Sequence, residues 1–114
     1  MPMELTPMRG DMFMAEMREA KGSEQAGCRP VVIVQNDVGN RYSPTTIIVP
    51  LTTKKKRSMP THVHINHSEL KSISTALCEQ VTTISKSRLI KYLGSLGEKE
   101  MKKIDEALGT SLDI

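Results

Sequence analysis

The chain has 114 residues, of which 38% are hydrophobic and 25% charged, with a net charge of +3 and a pI near 9.0. This is the composition of one ordinary globular domain, and no apolar run approaches the roughly 20 residues of a membrane-spanning helix. The first residues also lack the basic segment and apolar core of a secretory signal, so we expect a single domain over residues 1–114, located in the cytoplasm.

The N-terminal part begins with a predicted strand and continues into a long polar loop. Met8–Ala15 mixes apolar and polar side chains, as an edge or barrel strand does. The polar composition of residues 16–28 predicts a loop, and loops of this length often carry function. Because we expect no export, Cys28 and Cys78 are predicted to be free thiols, buried or half-buried.

The clearest prediction is a β-hairpin near the middle of the chain. Two β-branched runs, Val31–Val34 and Ile47–Leu51, are separated by Asn36–Pro44, which is rich in residues that favour turns. In an antiparallel pair, the start of one strand lies beside the end of its neighbour. We therefore expect Arg29, just before the first run, and Thr52, just after the second, to lie close together at one end of the hairpin.

The second half of the chain holds the basic excess, with 11 basic and 7 acidic residues after residue 50. Lys54–Arg57 contributes most of it, inside a predicted loop over residues 53–60. A solvated loop is the simpler interpretation, and attraction of a polyanion is the alternative. The alternation of residues 61–65 predicts a strand, residues 70–75 suit a loop, and Ala76–Ile84 suits another strand.

Helical patterns appear towards the C-terminus. Ser85 is a suitable N-cap for a short helix over residues 86–90, and residues 91–96 suit a small strand. Glu98–Leu108 places apolar side chains on one face, which predicts an amphipathic helix that ends at Gly109. About five short strands followed by this helix predict a mainly β fold, a strongly bent sheet or small barrel with the helix packed on it.

Several side chains could carry chemistry, and each also has a simpler structural interpretation. A guanidinium such as that of Arg29 binds phosphate with donors in a fixed fork, whereas an isolated arginine more often covers a strand end. His62 and His64 would share one face of a strand, but no cysteine or carboxylate pattern completes a metal site. We predict solvent-facing histidines and assign no metal and no cofactor.

The sequence also carries a series of short motifs in order along most of its length. They are Arg9–Asp11, Gly22–Gln25, Gly27–Asp37, Gly39–Thr45, Leu51–Thr52, Pro60–Val63, Glu79–Ile84 and Arg88–Leu89. Each motif is short, but together they resemble the MazF/PemK family of toxin endoribonucleases, and most of all its branch in Gram-positive bacteria.

This resemblance implies an SH3-like β-barrel with a C-terminal helix, working as a homodimer that a cognate MazE-like antitoxin inhibits. It implies a metal-independent, sequence-specific endoribonuclease that cuts single-stranded mRNA by attack of the 2′-OH, leaving 2′,3′-cyclic phosphate and 5′-hydroxyl ends. Arg29 and Thr52 match the family's two catalytic positions, in agreement with their predicted proximity. The further candidates for RNA contact are Arg9, Ser23, Glu24, Gln25, Thr53, Lys56 and Gln80.

Two other functions are compatible with the same barrel, since a fold does not fix a function. Related toxins poison DNA gyrase without cleaving RNA, and an inactive relative would bind only RNA or an antitoxin. The presence of both Arg29 and Thr52 favours the ribonuclease, because a gyrase poison has no need of that pair.

Overall fold

The computed structural model describes residues 6–17, 27–54 and 57–114. Within these ranges the chain is mainly β, as predicted, with seven strands, two short 3₁₀ turns and two α-helices, the second at the C-terminus. The elements are β1 (Asp11–Met17), β2 (Gly27–Ile33), α1 (Asp37–Tyr42), β3 (Thr45–Thr52), β4 (His62–Ile65), β5 (Ser74–Leu77), β6 (Thr82–Ser85), β7 (Leu89–Ser95) and α2 (Glu98–Leu112).

The strands form one antiparallel sheet that curls back on itself. Its order is β4-β5-β3-β2-β1-β7, with β6 also paired to β3. The two outer strands approach each other through side chains: a Cβ added to Gly94 of β7 would lie 3.0 Å from Cε1 of His67, which follows β4. The predicted barrel is therefore a bent sheet whose ends meet by packing, with no backbone pairing between β4 and β7 in the described residues.

The predicted central hairpin is confirmed, with one correction in its connection. Strands β2 and β3 pair antiparallel, with Val31 opposite Pro50 and Ile33 opposite Ile48. The connecting residues, predicted as an open turn, instead form the short helix α1. Asn36 caps this helix, because its side-chain oxygen accepts a 2.8 Å hydrogen bond from the backbone N–H of Gly39.

The prediction of one strand over Ala76–Ile84 is wrong, and the sheet geometry explains why. Leu51 of β3 pairs with Ala76 of β5, whereas Ile48, three residues earlier on β3, pairs with Thr82 of β6. A strand that continued from Ala76 without a break would place residue 79 opposite Ile48, so three extra residues must be accommodated between β5 and β6. The 3₁₀ turn Cys78–Gln80 absorbs them, and β5 starts at Ser74 inside the segment predicted as a loop.

The C-terminal elements follow the prediction with shifted ends. The side chain of Ser85 caps residues 86–88, which form a 3₁₀ turn in place of the predicted helix, and β7 begins directly after it. The amphipathic helix is confirmed as α2, but it continues past Gly109 to Leu112, because the left-handed residue that ends it is Asp113. Neither helix in the described ranges has the length and apolar character that crossing a bilayer requires.

Apolar residues pack on both faces of the bent sheet. One cluster includes Val49, Leu51 and Ile65 and is covered by α2 through the fully buried Ile104. The other includes Val31 and Ile48 and lies on the opposite face of the same strands. Because successive side chains on a strand alternate between faces, the face occupied by each residue at the ends of β2 and β3 is determined by these two clusters.

Candidate functional site

The central feature of the site is the relationship between Arg29 on β2 and Thr52 on β3. The register that joins Val31 to Pro50, continued for two residues, would place Arg29 opposite Thr52. Residues directly opposite each other in an antiparallel pair project from the same face of the sheet. The described pairing of β2 with β3 stops at Val31 and Pro50, so Arg29 and Thr52 lie at the same end of the hairpin, and their direct proximity stays a prediction.

Arg29 is held inside strand β2, which begins earlier than the sequence predicted. Its backbone lies opposite Ala15 of β1, and the side chain is half-buried. The Nε atom is buried and has no hydrogen-bond partner among the described residues. A buried guanidinium N–H without an acceptor is costly, by about 1–3 kcal/mol. Arg29 therefore places a permanent positive charge on β2, next to a buried N–H that is unsatisfied among the described residues.

Thr52 ends strand β3 and is only 7% exposed. Its Oγ1 accepts a 3.2 Å hydrogen bond from the backbone N–H of Lys54, which fixes where the side chain points and where the basic segment leaves the sheet. A hydroxyl that accepts one such bond still has its own O–H to donate. The pair therefore combines a guanidinium and a hydroxyl donor on one face, an arrangement suited to phosphate oxygens.

Comparisons with known proteins agree on one family for this chain. A family model described as PemK-like, MazF-like toxin of type II toxin-antitoxin system matches residues 8–112. The chain belongs to this family. A protein named Endoribonuclease MazF from Staphylococcus saprophyticus is 45% identical over 109 residues, which are 93% of this chain and 91% of that protein.

Solved structures of the MazF-like family have the same fold. An endoribonuclease in complex with its cognate antitoxin, from a Mycobacterial species, is 30% identical, with a TM-score of 0.80 over 95% of this chain and 96% of that chain. MazF from Deinococcus radiodurans is 20% identical, with a TM-score of 0.83 over 96% and 99% of the two chains. The second likeness concerns the fold alone, and it confirms the predicted MazF-like architecture.

The other predicted RNA-contact residues of this MazF-like toxin are distributed unevenly around the pair. Thr53 is exposed directly after Thr52, and Gln80 is half-buried in the 3₁₀ turn that faces the middle of β3. These two lie on the elements next to the pair. Four of the other five predicted residues lie outside the described residues: Ser23, Glu24, Gln25 and Lys56. The fifth is Arg9.

Arg9 lies away from the Arg29–Thr52 pair. Its Nε donates a 3.0 Å hydrogen bond to the carbonyl of Val34, which follows β2, whereas Arg29 is near the beginning of that strand. Its Nη2 forms an ion pair with Asp105 of α2. The side chain of Arg9 thus connects the start of β1 to the C-terminal helix, and the structure does not bring it together with the other predicted site residues.

Sequence reasoning missed a polar cluster beside the pair and misplaced one histidine. His62 was predicted to face solvent, but its side chain is only 4% exposed, and its Nε2 lies 3.1 Å from Oε2 of Glu79. Thr61 donates a 2.9 Å hydrogen bond to the other oxygen of Glu79. Burial by itself would raise the pKa of Glu79, but its own backbone N–H, His62 and Thr61 together lower that pKa below its ordinary value.

The two cysteines of the toxin are free but differ in environment. Cys78 is fully buried, as predicted, and burial followed by the charges of Glu79 and Asp105 raises its pKa to about 11. Cys28 is exposed, which corrects the prediction that it is at least half-buried. The prediction failed because Cys28 lies at the exposed beginning of β2, three residues before the buried part of the strand, Val31–Ile33.

Proposed function

We propose that this MazF-like toxin is a sequence-specific endoribonuclease that cleaves single-stranded RNA, chiefly mRNA, without a metal ion. The 2′-OH next to the scissile phosphate attacks that phosphate, and the products carry a 2′,3′-cyclic phosphate and a 5′-hydroxyl. Cleavage of mRNA inhibits translation and growth. The observation that carries this proposal is that Arg29, whose buried Nε has no hydrogen-bond partner among the described residues, lies at the same end of the hairpin as Thr52.

Arg29 stabilises the negative charge that develops on the phosphate oxygens. The reaction needs no external nucleophile, so the main contribution the protein can make is fixed donors aimed at that charge. A guanidinium stays protonated at any physiological pH, which makes electrostatic stabilisation its main role and direct proton donation to the leaving 5′-oxygen a minor one.

Thr52 positions the same phosphate. Its hydroxyl is rigid, because the residue is 7% exposed and its Oγ1 is already held by the N–H of Lys54. A pre-oriented hydroxyl loses little conformational entropy when it binds a substrate oxygen. Thr53 and Gln80 flank the pair and would contact the neighbouring nucleotides, and the same role is proposed for Ser23, Glu24, Gln25 and Lys56. Arg9, at the other end of β2, would contact a more distant part of the RNA.

Family membership and the solved relatives indicate the partners of this toxin. We propose one toxin domain over residues 1–114 that acts in the cytoplasm as a homodimer. A cognate MazE-like antitoxin would inhibit it by occupying the RNA groove, as one Mycobacterial relative is described in complex with its cognate antitoxin.

A cleavage assay in EDTA tests the proposal. The purified chain and its Arg29→Ala variant are incubated with long single-stranded RNAs of varied sequence, and the 5′ ends of the products are mapped. Arg41→Ala serves as the matched control, because Arg41 is an exposed arginine on α1. We expect discrete cuts with the wild-type and Arg41→Ala proteins, and none with Arg29→Ala, while circular dichroism shows that all three fold.

Two outcomes would reject the proposal. Undiminished cleavage by Arg29→Ala would remove Arg29 from the mechanism. A wild-type protein that cuts none of the RNAs would favour the gyrase-poison or inactive-relative alternatives, and a DNA supercoiling assay with gyrase would separate these two.

A further inference from the structure

We infer that the RNA site of this toxin extends from Arg29 and Thr52 across β5 to the edge strand β4, where Thr75 and His64 bind a phosphate next to the scissile one. This inference rests on the proposed function and adds a subsite to it. Strand register places Thr52, Thr75 and His64 in one row, and Arg29 lies on β2, at the end of the hairpin next to Thr52.

The row crosses four strands. Thr52 of β3 is paired with Thr75 of β5, and Thr75 is paired with His64 of β4. On the other side, Arg29 of β2 would continue the row opposite Thr52. Directly opposed residues share a face, so all four side chains project from the same face. With neighbouring strands about 4.8 Å apart, the row spans about 14 Å from Arg29 to His64.

The opposite face of the same strands is fully occupied. Leu51, Ala76 and Val63 form the adjacent row, and all three are buried in the cluster beneath α2. This burial prevents a one-residue slip, because a slip would expose the core residues and bury the polar row. The face that carries Thr75 and His64 is therefore fixed by the core, in the way that a preorganised binding surface requires.

The hydroxyl of Thr75 lies beside the ring of His64. The Oγ1 of Thr75 lies 3.4 Å from Nδ1 of His64, and His64 itself is exposed. With the hydroxyl donating to Nδ1, the neutral imidazole carries its proton on Nε2. That nitrogen has no hydrogen bond in the described part of the chain, so it is a donor available to a ligand.

The chemistry of the row favours a phosphate of the RNA backbone. The row contains a guanidinium, two hydroxyls and an imidazole, all of which can donate to phosphate oxygens, and it contains no aromatic residue on which a base could stack apart from the imidazole itself. Glu79, on the 3₁₀ turn after β5, has both of its carboxylate oxygens already bound by His62 and Thr61. Lys103 and Glu106 of α2 line the groove beside His64, and their opposite charges offset each other.

The test combines protein variants with modified RNA. Once a cleavage site has been mapped, substrates are made in which the phosphate on either side of the scissile one is replaced by a neutral methylphosphonate. His64→Ala and Thr75→Val are compared with the wild type and with Thr83→Val. Thr83 is a suitable control because it is exposed and pairs with Ile47, which places it on the other face and near the other end of β3.

We expect His64→Ala to raise KM about tenfold, the effect of losing one hydrogen bond to a charged group, with little change in kcat. Thr75→Val should give a smaller change in the same direction, and Thr83→Val none. One of the two methylphosphonate substrates should show the same loss with the wild type and no further loss with His64→Ala, because both changes remove the same contact.

This inference would be overturned if the loss caused by the methylphosphonate and the loss caused by His64→Ala multiplied when the two changes were combined. It would also be overturned if the KM of His64→Ala equalled that of the wild type. In both cases the cleavage activity itself would remain. A wild-type protein without cleavage activity would instead reject the proposed function on which the inference rests.

Discussion

The imidazole Nε2 of His62 lies 3.1 Å from Oε2 of Glu79, and this contact links strand β4 to the 3₁₀ turn between β5 and β6. The same carboxylate accepts a hydrogen bond from Thr61, so one acidic side chain joins two segments separated by 18 positions in the chain. This turn carries Gln80 and faces the strand that ends at Thr52. The cluster therefore stabilises the side of the sheet from which the candidate site is built.

Glu79→Gln should lower the free energy of unfolding at neutral pH by about 1 kcal/mol, the worth of charge-assisted hydrogen bonds that solvent partly reaches. The pKa of Glu79 is lower in the folded state than its ordinary value of 4.5. The stabilising contribution of Glu79 is therefore fully present above pH 4.5, the ordinary pKa, and is lost as the pH falls through the lower pKa of the folded state. Urea unfolding at several pH values should show the two proteins converging in acid, and a constant difference would contradict this account.

The sequence predicted the elements whose signals are local. The β-branched runs on either side of Asn36–Pro44 were sufficient to place the β2–β3 hairpin. The cap at Ser85 and the amphipathic face of α2 are equally local features. These are the cases in which propensity and tertiary packing favour the same structure.

The features that the sequence did not predict depend on distant contacts. Ala76–Ile84 has the composition of a continuous strand, and only its pairing with two separate parts of β3 requires the break at Cys78–Gln80. The burial of His62 likewise depends on Glu79, 17 positions away. Neither relationship leaves a periodic signal in the residues nearby, so hydrophobic patterning could not reveal it.

Asn40 in α1 provides a second stability prediction. It is fully buried, its Oδ1 accepts from the hydroxyl of Thr46 at 2.7 Å and from the amide of Gln35 at 3.1 Å, and its Nδ2 donates to the carbonyl of Gln35 at 2.9 Å. Asn40→Ala leaves these buried partners unsatisfied and should cost about 1–3 kcal/mol. The exposed Asn66→Ala variant should change the free energy of unfolding by less than about 0.5 kcal/mol. Equal urea midpoints for the two variants would refute this role of Asn40.

The two thiols should react at very different rates. Cys28 is exposed, whereas Cys78 is fully buried and burial raises its pKa to about 11, so its thiolate is both scarce and shielded in the folded state. With Ellman's reagent at pH 8, we expect one thiol per native chain to react quickly and the second only on unfolding. Cys28→Ser should abolish the fast phase, and a fast phase that survives in this variant would contradict the burial of Cys78.

Gly109 lies inside α2, where a glycine weakens the helix. A Cβ at this position would lie 3.5 Å from the carbonyl oxygen of Ile114, an ordinary contact. Gly109→Ala should therefore stabilise the protein by about 1 kcal/mol and raise Tm by about 4 °C. Gly10→Ala is the matched contrast, because Gly10 has a φ of +95° that alanine adopts only with strain, and it should lower Tm. A Tm lowered by both substitutions would show that the end of α2 is tighter than the structure indicates.

The role of the Thr52 hydroxyl in cleavage can be tested separately from the role of the side-chain shape. Thr52→Val keeps the β-branched side chain and removes the hydroxyl, whereas Thr52→Ser keeps the hydroxyl and removes a methyl group. If the hydroxyl binds the phosphate more strongly in the transition state than in the ground state, Thr52→Val should lower kcat and kcat/KM together by about 100-fold, and Thr52→Ser by less than about tenfold. Both variants keep a small side chain at a site that is 7% exposed, so both should fold, which thermal unfolding checks. Equal activity of the valine and serine variants would mean that Thr52 acts through packing alone, and the anion site would then rest on Arg29.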